Sequence, residues 1–161
     1  VTDIHSSMRH ALDSFIRWLK YTAIPWYTSL GLRRGTITLE VRGRKTGQPV
    51  RLSLTSVRHA GARYLVALYD QAQWAKNVRA AHGAATLLSG ERQPVRLVEI
   101  PQAERAPILL DYVNQRAFSH SGPASARLFF GLTSKPTLAD MAALADRYLV
   151  FRIDPLDTTH S

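Results

Sequence analysis

The amino-acid sequence predicts an antiparallel β-barrel of the α+β class, with helices packed around it. Six short segments alternate apolar and polar residues, and turn residues separate most of them at hairpin spacing. Amphipathic segments between and before these strands predict peripheral helices. Only closure into a barrel or cover by helices protects so many strand edges. An open antiparallel sheet on two helices and a small barrel without a ligand are the alternatives.

The elements are predicted in order along the chain. An amphipathic helix over residues 7–23 ends before Pro25. The predicted strands are residues 36–41, 50–58, 63–69, 84–89, 94–100 and 148–153. Shorter helices are predicted at residues 72–81, from 101 to about 117 and at 137–147. We expect a single domain over residues 1–161, with the first helix and a connector in 1–30 and the barrel with its helices in 35–155.

The composition excludes several kinds of site. Cysteine is absent, so disulfides, thiolate chemistry and sulfur-ligated metals are excluded. The six histidines are scattered without the spacing of a metal site, and we expect no bound metal. No apolar run is long enough to span a membrane. A cytoplasmic location is therefore expected, with peripheral contact to a membrane surface left open.

The formal net charge of +9 is concentrated in one part of the chain. Between Arg33 and Arg63 there are eight arginines and lysines and one acid, Glu40, which gives a net charge of +7. Such a segment is typical of a nucleic-acid surface, an anionic membrane contact or a pocket for a polyanionic small molecule. Aromatic residues interleaved with the cations and helix-turn-helix patterns are missing, so we expect no nucleic-acid binding.

The segment Gly43–Arg51 holds three of these cations, a hydroxyl and two glycines between two predicted strands. Arginine can grip phosphate or carboxylate oxygens with two parallel hydrogen bonds, and glycine lets backbone N–H groups approach a ligand. The segment therefore has the chemistry of an anion-binding turn. A solvated basic turn of a surface hairpin explains the same residues equally well.

A second motif favours the anion-binding interpretation of this turn over the solvated one. After two further predicted strands the chain reads Trp74-Ala75-Lys76-Asn77-Val78-Arg79-Ala80. The order and spacing of this motif and the Gly-Arg-Lys-Thr-Gly turn resemble the deazaflavin-dependent nitroreductase family of oxidoreductases. The resemblance is clear over about residues 35–110 and looser to Pro155. It implies a six-stranded split β-barrel, similar to the FMN-binding split barrels, with flanking helices.

The resemblance also implies a cofactor, the deazaflavin coenzyme F-420, whose tail carries phosphate and glutamate groups. It assigns cofactor contacts to the basic turn, the strand that follows it, the loop after the third strand and the short helix: Arg44, Lys45, Thr46, Gly47, Arg51, Ser53, Leu54, Thr55, Leu68, Tyr69, Asp70, Trp74 and Asn77. Two positions depart from the family pattern. Val50 stands where an arginine is common, and Asp70 where a lysine is common. For Trp74 alone, a role as a plug of the barrel end is the alternative.

The implied activity is hydride transfer from reduced F-420 to a small, largely apolar electrophile, such as a nitro compound, a quinone or an activated double bond. Tyr69 and Tyr112 are the candidate proton donors, through their phenol O–H groups. The same barrel with FMN is one alternative. A noncatalytic module that binds a tetrapyrrole, a fatty acid or anionic lipid is another. We expect small-molecule partners, and a homodimer is left open.

Overall fold

The structure is a computed structural model and describes residues 35–67, 72–115, 130–132 and 135–156. This part of the chain forms six β-strands and three α-helices. The strands are β1 (Thr36–Arg42), β2 (Pro49–His59), β3 (Ala62–Ala67), β4 (Ala84–Ser89), β5 (Glu91–Glu99) and β6 (Leu149–Pro155). The helices are α1 (Gln73–Ala80), α2 (Arg105–Asn114) and α3 (Leu138–Leu144), and a 3-10 turn at Gln102–Glu104 precedes α2.

The strands close into a barrel in the order β1-β2-β3-β6-β5-β4, and every neighbouring pair is antiparallel. The β1–β2 ladder is the longest and runs from Thr36 opposite Thr55 to Arg42 opposite Pro49. The β1–β4 ladder closes the barrel with two register pairs. The predicted six-stranded split barrel of the α+β class is confirmed.

Two hydrophobic clusters stabilise the fold, one on each side of the barrel wall. The barrel cluster lies inside: Ile37, Leu39, Val41, Leu52, Leu54, Leu65, Ala67, Trp74, Ala75, Val78, Leu87, Val95, Leu97, Leu149, Phe151 and Ile153. The outer cluster joins the wall to α2 and α3: Val57, Tyr64, Val66, Ile100, Ala106, Ile108, Leu109, Tyr112, Val113, Phe130, Met141, Ala145 and Val150. Strand alternation separates the two sets, because successive side chains point to opposite faces.

Helix α1 closes one end of the barrel. It follows β3 directly and contributes Trp74, Ala75 and Val78 to the barrel cluster. The turn between β1 and β2 lies at the same end, because β1 ends there, β2 begins there and α1 contacts β1. The fold therefore places the two sequence motifs side by side.

The predicted element boundaries agree with the structure to within three or four residues. The largest differences are at α2, which begins at Arg105 rather than at 101 because a 3-10 turn precedes it, and at β5. This strand begins at Glu91 rather than at 94, because Gly90 adopts φ 91° and lets Ser89 pair with Glu91 across a tight turn. The predicted helix at 7–23 lies outside the described residues, and the single-domain assignment stays a prediction. None of the described helices is long and apolar enough to cross a membrane.

Candidate cofactor site

The basic turn between β1 and β2 is compact and closed by its own backbone. The Gly43 N–H donates to the Gln48 carbonyl at 2.8 Å, and the Gly47 N–H donates to the Gly43 carbonyl at 2.8 Å. A Cβ on Gly43 would lie 3.1 Å from both the Gln48 carbonyl oxygen and Thr46 Oγ1, so a side chain would crowd the turn. Gly47 has φ 71°, a conformation that strongly favours glycine. The glycines thus give the turn its shape, and residues 44–49 are exposed.

Helix α1 holds Arg44 through two neutral amides. Asn77 Oδ1 accepts from the Arg44 backbone N–H at 3.3 Å and from Nη1 at 3.0 Å. Arg44 Nη2 donates to Gln73 Oε1 at 2.8 Å. Asn77 is buried and Arg44 is exposed, so the contact fixes an exposed guanidinium on a rigid support. The structure therefore joins the two motifs by direct hydrogen bonds.

The turn keeps its positive charge. Within the described residues, no carboxylate lies within 4.0 Å of Arg42, Arg44 or Lys45. The amides of Gln73 and Asn77 orient Arg44 without neutralising it. Three cations at one end of the barrel are therefore not offset by any described carboxylate, which favours an anionic ligand there.

Arg51, by contrast, is already paired. Its Nε donates to Glu40 Oε2 at 2.7 Å, and Arg92 of β5 donates to the same carboxylate. The hydrogen bonds from Arg92 and then Arg51 hold the pKa of Glu40 below its usual value. Part of the donor capacity of Arg51 is therefore used within the protein. Sequence reasoning missed Arg92, which lies 52 residues from Glu40 along the chain.

The predicted residues of β2 do not share one face. Leu54 belongs to the barrel cluster, whereas Ser53 and Thr55 alternate with it and face outward. Ser53 is buried and Thr55 is half-buried. A ligand on the outer side of β2 would therefore meet the Leu54 backbone rather than its side chain.

Trp74 is a core residue of the barrel end. It is 3% exposed, and its ring centroid lies 5.4 Å from that of Phe151. Its buried indole Nε1 has no hydrogen-bond partner among the described residues. The structure thus gives Trp74 the position of a plug while leaving one polar atom unsatisfied.

The sequence profile of one protein family, described as F-420H(2)-dependent quinone reductase, matches residues 28–121, more than half of the chain. This chain belongs to that family. The family is one of oxidoreductases that depend on reduced F-420, which confirms the predicted enzyme class. The matched region contains the basic turn and all of α1. A comparison with curated proteins finds no match.

Two solved structures, with TM-scores of 0.51 and 0.50, share the fold of this quinone reductase family member. The Agrobacterium tumefaciens protein Atu2129, of unknown function, is 13% identical to this chain, with a TM-score of 0.51. The match covers 74% of this chain and 47% of Atu2129, so this chain spans about half the length of that protein. A Bacteroides thetaiotaomicron protein assigned to 5-nitroimidazole antibiotic resistance is 9% identical with a TM-score of 0.50, covering 84% and 81%. An F-420-H2 dependent reductase, FDR-A, is 16% identical with a TM-score of 0.46, covering 75% and 95%.

The remaining predicted site residues of this family member are distributed as follows. Leu68, Tyr69 and Asp70 lie outside the described residues. Tyr112 lies on α2 in the outer cluster, is 4% exposed, and burial raises its pKa well above the usual value. It therefore does not share a cluster with Trp74. Its role as proton donor stays a prediction, as does that of Tyr69.

A second ion-pair network, which sequence reasoning did not identify, fixes α1 on the barrel. Arg79 donates Nε and Nη2 to the two oxygens of Glu99 at 2.8 and 2.7 Å. Buried Arg105 reaches Glu99 at 3.3 Å and also donates to the carbonyls of Ile100 at 2.8 Å and Ala145 at 3.0 Å. The network links α1, β5, α2 and the end of α3. It thereby supports the helix that carries Asn77.

Proposed function

We propose that this chain binds reduced F-420 through the basic turn and transfers hydride to a small, largely apolar electrophile. Quinones, nitro compounds and activated double bonds are the substrates that the family resemblance implies. The observation that carries the proposal is Arg44, which Asn77 and Gln73 hold next to Lys45 and which no described carboxylate offsets. This donor set fits the phosphate and glutamate groups of a deazaflavin tail.

The chain's own residues would contribute binding and orientation. Arg44 and Lys45 would bind anionic oxygens of the tail, and the turn glycines would let the backbone approach them. Asn77 would position Arg44, and the Trp74 indole would form the apolar floor of the barrel end. When bound, the reduced cofactor supplies the hydride, so the protein's task is to orient the two reactants and exclude water.

Some predicted contacts rest on the resemblance alone. Thr46 Oγ1 accepts from the Gln48 N–H at 3.3 Å within the turn, and its own O–H would be its donor to a ligand. Ser53 and Thr55 would meet the cofactor from the outer face of β2. A homodimer and weak contact with a membrane surface also stay predictions.

The test is a fluorescence titration of the purified protein with F-420 and, separately, with FMN. We expect F-420 to bind more tightly, because its longer polyanionic tail engages more cations than a single phosphate does. Arg44→Ala and Lys45→Ala should each weaken F-420 binding about ten- to a hundredfold, the equivalent of one charged hydrogen bond. FMN binding as tight as F-420 binding would refute the assignment of the cofactor.

Arg58→Ala is the matched control, because Arg58 is an exposed cation of β2 beyond the residues that pair with β1. Its removal should leave F-420 affinity unchanged. Without ligand, Lys45→Ala should shift the free energy of unfolding by less than about 0.5 kcal/mol. Arg44→Ala should cost about 1 kcal/mol, because buried Asn77 Oδ1 loses its Nη1 donor and keeps only the backbone N–H of residue 44. Unchanged F-420 affinity in both turn variants would identify a plain basic hairpin.

A further inference from the structure

A second group of cations, which no described carboxylate pairs with, lies at the other end of the barrel. The β1–β2 ladder runs from Arg42 opposite Pro49, at the basic turn, to Thr36 opposite Thr55. Strand β2 then continues to His59 and turns into β3. The length of the barrel therefore separates the tip of the β2–β3 hairpin from the proposed cofactor site.

Arg58 and Arg63 stand directly opposite each other in the β2–β3 ladder. Strand alternation places them on the same face as Ser56 and Leu65, and Leu65 is fully buried in the barrel cluster. The two arginines thus continue the inner face of the barrel to its rim. Arg58 is exposed and Arg63 is half-buried, so the pair is accessible.

The electrostatics of this pair are unfavourable in the free protein. Like charges directly opposite on neighbouring strands destabilise a sheet. Arg63 Nη2 donates to Ser56 Oγ at 3.2 Å, which is a neutral contact, and within the described residues neither arginine has a carboxylate within 4.0 Å. Burial and then the positive charge of Arg58 lower the pKa of Arg63.

Two carboxylates on the neighbouring elements α2 and β6 already bind other side chains. Asp111 Oδ2 lies 2.7 Å from His59 Nδ1, and Asp154 accepts two hydrogen bonds from Arg152 at 2.7 and 2.9 Å. The arginine pair therefore keeps two positive charges that no described acidic residue offsets.

Two hydrogen bonds join the Arg58 backbone to the end of α2. The Gln115 side chain accepts from the Arg58 N–H at 3.1 Å and donates to the Arg58 carbonyl at 2.6 Å. The contact between His59 and Asp111 adds a second link between the hairpin and α2. The Arg58 backbone is thus fixed to the end of α2, and the Ser56 hydroxyl holds the Arg63 guanidinium, which preorganises part of an anion site.

We propose that Arg58 and Arg63 form a second anion site, which binds a phosphoryl group on a ligand other than the cofactor. Two guanidinium groups on directly opposite residues match the several acceptor oxygens of a phosphoryl group. The Ser56 hydroxyl donates to the Gly35 carbonyl at 3.0 Å and accepts from Arg63, so it orients Arg63 rather than the ligand. A soluble phosphate ester and a phospholipid headgroup present the same chemistry. The site is independent of the proposed F-420 site, because the residues of the two do not overlap.

The test removes the basic turn first, so that its cations do not contribute. In an Arg44→Ala/Lys45→Ala background, inorganic phosphate is titrated by calorimetry at constant ionic strength, with thermal stability as a second readout. We expect phosphate to bind and to raise the melting temperature, since a ligand of the native state stabilises it. Adding Arg58→Ala or Arg63→Ala should weaken phosphate binding about ten- to a hundredfold. Arg96→Ala, an exposed cation of β5, is the control that should change nothing.

Arg58→Glu provides a variant that keeps the fold, because it places opposite charges across the ladder and leaves the backbone contacts of Gln115 in place. It should abolish phosphate binding while the melting temperature of the free protein stays the same or rises. Glycerol phosphate and phosphatidylglycerol vesicles then distinguish the two sources of the phosphoryl group, and Arg58→Glu should abolish whichever binding is seen. Phosphate binding that is absent from the background protein, or that persists in the Arg58 and Arg63 variants, would overturn the proposal.

Discussion

The contact between Arg44 and Asn77 allows a substitution that changes charge while nearly preserving shape. Asn77→Asp replaces the amide with a carboxylate at the position where Oδ1 accepts from Arg44 N and Nη1 at 3.3 and 3.0 Å. The link between the turn and α1 should therefore persist. Arg44, however, would become one partner of an ion pair, and its charge would no longer be available in full to a ligand.

The size of the effect follows from the charge count. Arg44 and Lys45 present two positive charges that no described carboxylate offsets, and Asn77→Asp reduces this to one. One charged hydrogen bond contributes about 1.5 to 3 kcal/mol. Arg44 keeps some donors free, so we expect the lower end of this range, a loss of about tenfold in F-420 affinity. The unfolding free energy should change by about 1 kcal/mol or less, because the ion pair offsets the burial of the new carboxylate.

The assay is a fluorescence titration with F-420 at low and at raised ionic strength. The difference between parent and Asn77→Asp should shrink as salt screens the charges. Asn114→Asp, at the exposed end of α2, changes the net charge equally and should leave affinity unchanged. A folded Asn77→Asp protein that binds F-420 as the parent does would refute the role of the Arg44 charge.

Three further predictions concern the support of the site. Trp74→Ala should cost about 3 to 5 kcal/mol of unfolding free energy, measured by urea denaturation, because the ring fills the barrel end; a loss below about 1 kcal/mol would contradict the plug. Arg105→Met should cost about 3 kcal/mol, since Glu99 and the carbonyls of Ile100 and Ala145 lose a buried donor; an unchanged urea midpoint would argue against this. Arg79, followed by Arg105, holds the pKa of Glu99 in the folded protein below its usual value of 4.5. The stability that ionised Glu99 contributes is therefore complete above pH 4.5 and is lost as the pH falls through the lower pKa of the folded state. Glu99→Gln should flatten this acid dependence of the urea midpoint, and equal slopes for parent and variant would contradict it.

The sequence predicted the strands well because their alternation is local. Residues 36–41 and 84–89 match β1 and β4 almost residue for residue. The same alternation separates Leu54 from Ser53 and Thr55, although the family resemblance grouped the three. A strand pattern read by itself would have assigned Leu54 to the core.

The ion pairs were not predictable, because their partners are distant along the chain. Arg79 and Glu99 are 20 residues apart, and Arg92 and Glu40 are 52 apart. Their proximity depends on the order in which strands close the barrel, and local patterns do not encode that order. The contact between Arg44 and Asn77, 33 residues apart, was suggested only by the joint occurrence of two motifs.

Because the ladder between β1 and β4 is short, the ion pairs of Glu40 are important for the integrity of the barrel. Only two register pairs join these strands, whereas Glu40 of β1 binds Arg51 on one side and Arg92, beyond β4, on the other. The ion pair between Glu40 and Arg92 therefore spans β4 and adds to the short backbone ladder. Acid, which protonates Glu40, and high salt, which screens the pair, should both loosen it before the longer ladders. Deuterium exchange at β1 and β4 amides would then rise first, marking the line along which this barrel opens without unfolding.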